Sequence, residues 1–200
     1  MRNKLYILKG CGGHARSIAD AILTDFPNAK IVFVDNAARP DEMIMGFPAQ
    51  KDMPSNKDIF IPAFGDNERR EIECRGHIIE SFVSTSSHIS KFAAIGDGVF
   101  VACGAHIGPE SSIGRGSVVN TNAVVEHNVN IGEFSHIAPN TTICGCCKIG
   151  NLVLVGAGST LKPCIEVCDN VIIGAGSVVV DNITDPGIYA GVPARKIRNK

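Results

Sequence analysis

From Ile89 to Val179 an aliphatic residue returns at every sixth position without a miss. The series is Ile89, Ile95, Val101, Ile107, Ile113, Val119, Val125, Ile131, Ile137, Ile143, Ile149, Val155, Leu161, Val167, Ile173 and Val179. Ile, Leu and Val make up roughly a quarter of the chain, so an unbroken run of sixteen is not chance. Glycine directly follows many of them, at Gly96, Gly108, Gly114, Gly132, Gly150, Gly156 and Gly174. This hexapeptide repeat predicts a parallel β-helix, each hexad being one short strand and a turn. The aliphatic side chain points inward and stacks on its equivalents in neighbouring coils, while Gly and small polar residues form the corners.

The pattern before the repeat is of another kind. Residues 4–9 read as a β-run, followed by Gly10–Cys11–Gly12–Gly13–His14 and a helical stretch from Ala15 to about Phe26. Ile18, Ala21, Ile22 and Phe26 fall on one face of that helix. A second strand covers 29–34 and ends at Asp35. A third covers 58–64 and ends at Gly65–Asp66–Asn67, after which a helix opens over 68–74. Strand–helix–strand alternation predicts a small parallel sheet of three or four strands, half of a dinucleotide-binding fold. From Phe82 onward no helix signal appears until the last few residues. The expected fold class is therefore a small α/β (Rossmann-like) N-terminal domain over 1–82, followed by a β-helix over 83–200.

Charge and cysteine content narrow the function. The 200 residues carry 19 basic and 20 acidic side chains, a net of −1. No extended basic field exists to hold nucleic acid or an anionic membrane, and neither is expected as a partner. The basic start, Met1–Arg2–Asn3–Lys4, is followed by an apolar run of only Leu5–Leu8. That is too short for a secretory signal, nothing approaches a membrane span, and a cytoplasmic address is expected. Among eight cysteines, Cys144, Cys147, Cys164 and Cys168 imitate zinc-ribbon spacing. The hexad phase sends them to different parts of the coil, so they read as small, reduced, half-buried thiols and not as metal ligands. Cys146 and Cys164 are one coil apart and stack in register.

Three features carry candidate chemistry. The Gly10–Cys11–Gly12–Gly13 turn lets backbone N–H groups at a helix N-terminus approach an anion, and Asp35 stands at the distance of a ribose partner. A tight βα turn needing Gly only for geometry is the alternative. The domain is too small for both halves of a dinucleotide, so a single nucleotide diphosphate fits better. Of His106, His127 and His136, the last two are nine residues apart, half of an 18-residue coil. They point away from each other within a chain and meet only across subunits. Gly156–Ala157–Gly158–Ser159 and Gly174–Ala175–Gly176–Ser177 are identical and one coil apart. Stacked, they form a strip of bare backbone of the shape that suits the pantetheine arm of coenzyme A, or they are ordinary corners.

Taken together the chain resembles the hexapeptide-repeat acyltransferases, and within them the bacterial nucleotide-4-amino-sugar N-acetyltransferases and sialic acid O-acetyltransferases. The resemblance covers essentially the whole chain. It rests on Gly10–His14, Asp35, Gly65–Asp66–Asn67 with Arg69, Val125–Glu126–His127, Gly132–His136, and Ala190–Gly191–Val192–Pro193–Ala194. It implies a homotrimer of left-handed β-helices with acetyl-CoA bound at the subunit interfaces. It also implies a nucleotide-sugar substrate, UDP-linked, reaching Gly12, Gly13, His14, Asp35, Gly65 and Asn67. His127 would be the general base, taking a proton from the sugar 4-amino group as it attacks the thioester; imidazole titrates in the right range. His136 and the amides of Ala157 and Ala175 would hold the cofactor, and the basic tail (Arg195, Lys196, Arg198, Lys200) either meets CoA phosphates or is solvated. No acyl-enzyme is required. One departure stands out: the family usually has Asp or Glu after the base, and here it is Asn128. That keeps O-acetylation of a sugar open, beside a non-catalytic trimeric scaffold. Lys9, a charge where the strand should be apolar, has no counterpart in the pattern.

Overall fold

A computed structural model describes residues 4–55 and 59–200; the expected start of the third strand at residue 58 lies outside them. Strand β1 (Leu5–Lys9), helix α1 (Gly13–Asp25) and strand β2 (Lys30–Val34) follow the hydrophobic pattern to within two residues. β1 and β2 pair in parallel, Ile7 opposite Val32. A short antiparallel hairpin of β3 (Met43–Ile44) and β4 (Phe47–Gln50) comes next, and β4 adds to β2 in parallel. β5 (Ile61–Pro62) completes a five-stranded sheet of order β3-β4-β2-β1-β5, and α2 (Asn67–Cys74) follows. The hairpin escapes the sequence pattern because its strands are too short to show an alternation.

Strand Phe82–Val83 is the first rung of the parallel β-helix, pairing with Phe100–Val101. Three faces then alternate. Face 1 stacks Phe82–Val83, Phe100–Val101, Val118–Val119, His136–Ile137, Leu154–Val155 and Val171–Ile173; face 2 runs from His88–Ile89 to Val178–Val179; face 3 runs from Ala94–Ile95 to Glu166–Val167. Within each face successive rungs pair eighteen residues apart, as Val119 with Ile137 and Ile137 with Val155, and only the closing pairs Val171 with Gly187 and Val167 with Ile183 are sixteen apart among the described residues. All the hexad aliphatics are buried except Ile89 and Ile95, which pack half-buried against the first coils.

A second inward position lies two residues before each aliphatic. Apolar residues such as Val99, Val129, Val153 and Ile165 fill part of it, and Ser111, Ser117, Ser135, Thr141, Ser159 and Ser177 fill the rest, all buried. The buried hydroxyls are satisfied by the backbone of neighbouring turns. Ser135 donates to Gly150 O at 2.8 Å and accepts from Val153 N at 2.9 Å, and Ser117 makes the same pair of bonds to Gly132 and Ser135. Cys147 occupies this position too, so it is fully buried.

From Gly98 to Gly176 each turn contains one residue in the left-handed region. Glu110, Asn128, Cys146 and Cys164 form the column between faces 2 and 3. Gly104, Asn122, Asn140, Gly158 and Gly176 form that between faces 1 and 2; Gly98, Gly116, Phe134, Leu152 and Asn170 form the third. The corners are thus not confined to Gly and small polar residues.

The N-terminal domain packs on face 1 and on the corner between faces 3 and 1. Phe82, Phe100 and Val118, pointing outward from face 1, share a core with Tyr6, Leu8, Ile18 and Ile22; Phe134 and Leu152 share another with Ile7, Val32 and Phe60. Arg70, from α2, is the fully buried rivet of this junction. Its guanidinium donates to Gly116 O (2.7 Å), Phe64 O (2.9 Å), Phe134 O (2.9 Å) and Asn67 Oδ1 (2.8 Å). Burial lowers its pKa to about 10, which leaves it charged at neutral pH. The last residues, where a helix signal was expected, form a strand, Arg195–Arg198, antiparallel to Gly187–Ala190.

Candidate active site

The loops at the carboxyl ends of β1, β2 and β5 meet where open α/β sheets bind ligands. Gly12 caps α1 without a side chain and Gly13 begins it. Both are exposed, a Cβ on either would meet nothing within 4 Å, and neither N–H donates a hydrogen bond among the described residues. Asp35 is buried and organises this end of the sheet: it accepts from Cys11 N (3.2 Å) and Ala37 N (3.0 Å) and pairs with Arg69 at 3.3 Å. It borders a cleft of about 200 Å³ with Lys9, Asn36, Lys51, Arg69 and Glu73. Lys9 now has an explanation. Its ammonium meets Glu73 Oε2 and Glu73 O, both at 3.0 Å, and so puts a cation at the C-terminal end of α2.

His14, Gly65 and Asn67 lie where this domain meets the β-helix. The His14 ring stands edge-on to Phe100 and 5.7 Å from the ring of His136. Nε2 of His14 is buried with no hydrogen-bond partner among the described residues. Burial chiefly, then the neighbouring His136, lowers its pKa to about 3. Burial and then Arg70 lower that of His136 to about 4. Both rings are therefore neutral at physiological pH. His136 bonds Asn120 Nδ2 through Nε2 (3.1 Å) and Gly65 O through Nδ1 (3.4 Å). Asn67 is buried, its carbonyl taken by Arg70.

His127 is elsewhere, on the corner between faces 2 and 3, and exposed. Its ring lies over Gly145, one coil on; a Cβ there would come within 2.5 Å of Cε1 and Nε2. Nδ1 sits 3.0 Å from Asn128 Oδ1, and Asn128 Nδ2 donates to Glu110 at 2.6 Å. Ala157 and Ala175 occupy the corner between faces 1 and 2. The coil-to-coil bonds there run through Gly156, Gly158, Gly174 and Gly176, so the two alanine N–H groups stay out of the ladder. Cβ atoms at Gly158 or Gly176 would meet nothing within 4 Å, which leaves the strip open. His106 stacks on His88, rings 5.2 Å apart and parallel, on the outside of face 2. Nothing in the hexad phase singled out His88.

Within one chain, then, the structure gathers Gly12, Gly13, His14, Asp35, Gly65, Asn67 and His136 around the N-terminal domain. It leaves His127 and the Ala157–Ala175 strip on two other corners. Among the described residues no group of three or more His, Cys, Asp or Glu side chains is placed to hold a metal, and no helix is long and apolar enough to cross a membrane.

Residues 4–76 match the PglD N-terminal domain, and residues 128–163 match the bacterial transferase hexapeptide (six repeats). Among solved structures, the acetyltransferase domain of PglB from Neisseria gonorrhoeae FA1090 is 27% identical with a TM-score of 0.88, over 98% of this chain and 100% of that one. GDP-perosamine N-acetyltransferase from Caulobacter crescentus is also 27% identical with a TM-score of 0.88, over 96% of each chain. The chain thus joins a PglD N-terminal domain to hexapeptide repeats of the bacterial transferase kind, and over nearly its whole length it is similar to acetyltransferases. The Neisseria domain has been solved with acetyl-CoA, and the Caulobacter enzyme with CoA and GDP-perosamine, including mutants in which one histidine is replaced by Ala or Asn. WeeI from Acinetobacter baumannii AYE, 20% identical with a TM-score of 0.87, shares this fold. No curated protein sequence matches the chain.

Proposed function

We propose that the transferase moves an acetyl group from acetyl-CoA to the 4-amino group of a nucleotide-linked amino sugar. Its likeness over nearly the whole chain to an enzyme that acetylates a nucleotide-linked amino sugar carries this reading. The residues support it. The open Gly158–Gly176 strip and the two unengaged alanine amides suit a long thin cofactor arm that needs backbone donors. Gly12 and Gly13, at a helix N-terminus with space before them, suit a diphosphate. Asp35 and the adjoining cleft suit the nucleoside, UDP being the expected one. His14, Gly65 and Asn67 line the junction assigned to the sugar, and His136 at the same junction is assigned the thioester end of acetyl-CoA, for which Nε2 would give up its bond to Asn120.

His127 acts as the base. As the sugar amine attacks the thioester carbonyl carbon, Nε2 takes its proton; the C–S bond then breaks and the thiolate leaves with the electron pair. His127 and the nucleotide domain lie on separate corners of one chain. The site is therefore completed by a neighbouring subunit, in a trimer with three such interfaces, and the cell cytoplasm, where nucleotide sugars are made, is its expected place.

Thiol release from acetyl-CoA, measured against UDP-, dTDP- and GDP-linked 4-amino sugars with free sialic acid alongside, tests this. Release with one nucleotide amino sugar is expected, and His127→Ala should remove it, by roughly 10²-fold or more, while leaving the oligomer intact. Release with sialic acid alone would replace N-acetylation by O-acetylation.

A further inference from the structure

The residue after the base is Asn128, which bears no charge to stabilise the imidazolium that forms when His127 takes a proton. One coil below, in the same corner column, stands Glu110. We propose that Glu110 is the carboxylate serving His127, a positioning residue that acts through Asn128. The assignment rests on His127 being the base.

The donor inventory orders this chain of contacts. An ionised carboxylate only accepts, so the Asn128 group facing Glu110 at 2.6 Å is the NH₂. The amide carbonyl then faces His127 Nδ1 at 3.0 Å, and a carbonyl only accepts, so Nδ1 carries the proton. That fixes the tautomer with its lone pair on Nε2, the nitrogen that no other bond engages among the described residues. The backbone holds the relay in register. Asn128 N donates to Pro109 O at 2.9 Å, and Cys146 N donates to His127 O at 3.0 Å. Glu110 also sits in the left-handed region (φ 60), where Gly or Asn is the easier choice and glutamate has no conformational advantage. The turn below His127 is Gly108–Pro109–Glu110 and the turn above is Gly145–Cys146. The titratable groups around the ring are thus Glu110 below, Cys144 and Cys146 on either side of Gly145 above, and Glu126 beside it in sequence. Glu110 alone is joined to the ring by hydrogen bonds. A carboxylate two bonds away holds the amide dipole toward the ring and offsets the positive charge that develops there.

The pH profile of kcat/KM separates this from a merely structural role. Glu110→Gln keeps a hydrogen-bond acceptor for Asn128 and removes only the charge. It should lower kcat about tenfold, short of the roughly 10²–10⁴-fold a general base supplies, with KM for both substrates nearly unchanged. It should also move the acidic midpoint to lower pH, because the imidazolium loses its negative neighbour. Adding Asn128→Asp to that variant sets a carboxylate against Nδ1 and should bring rate and midpoint back. An unshifted midpoint in Glu110→Gln, or a loss of rate that Asn128→Asp does not rescue, would overturn the relay. Near-normal turnover by His127→Ala would instead remove the base itself, whatever Glu110 does. Glu110 is exposed, so its variants should keep the wild-type melting temperature and remain interpretable.

Discussion

His127 owes its position to a residue without a side chain. Gly145 leaves the space that the imidazole fills, and a methyl group there would press on Cε1 and Nε2 at 2.5 Å. Gly145→Ala should therefore displace the ring and cut kcat by on the order of 10²-fold, the usual cost of an ångström-scale misplacement. Circular dichroism should show the fold unchanged. His14 and His136 carry a pH dependence of the fold. Their folded pKa values, about 3 and about 4, lie below the ordinary histidine value near 6.5. Their neutral burial therefore stabilises the protein fully above pH 6.5. Stability falls as pH drops from there toward 4 and 3, where the unfolded chain takes up protons first. The urea midpoint at pH 5 should lie below that at pH 7.5, and His14→Gln should narrow the gap. As a candidate base His127 was legible in the sequence because the pattern of the resembling family marks it, whereas Glu110, its proposed carboxylate, was not. A glutamate 17 residues before a histidine reads as a surface charge until the 18-residue coil sets it beneath Asn128.

Among the elements, the β-helix was the most legible, since one inward aliphatic per hexad is a period no other structure shares. The second inward position was hidden because it mixes Val, Ile, Ala, Ser, Thr and Cys, and its hydroxyls are made compatible with a core by backbone partners a coil away. The Met43–Gln50 hairpin and the terminal strand were missed for want of length and alternation. Lys9 needed the helix end that receives it. How the two domains join was also unreadable, because Arg70 looks like an ordinary helix-surface charge in sequence. Its buried fork reaches carbonyls of both domains, a geometry that a lysine ammonium cannot reproduce. Arg70→Lys should lose about 2–4 kcal/mol of stability through orphaned carbonyls and a poorly solvated cation. Chemical denaturation measures it, and proteolysis should cut the variant first between the N-terminal sheet and the β-helix.

At the scale of the molecule the three corners of the β-helix divide the work. One docks the N-terminal domain, one offers bare backbone and one carries His127, the proposed base. If neighbouring subunits share a site, two inactive variants should rescue each other. Gly13→Asp has room for its side chain but sets a negative charge where a diphosphate would rest. Purified alone, Gly13→Asp and His127→Ala should both be inactive; refolded as a mixture, they should regain activity through interfaces that draw one intact half from each. A mixture that stays inactive would mean that each chain works alone. The stacking of identical coils has one more consequence. Positions along the axis come only in whole rungs of about 4.8 Å, so the reach between the imidazole and the Ala157–Ala175 strip cannot be tuned continuously by point substitution. Removing eighteen residues between them would shorten that reach by a single rung and leave every corner facing its own direction, whereas removing six or twelve would turn the strip onto another corner, and seventeen or nineteen would put the inward aliphatics out of register.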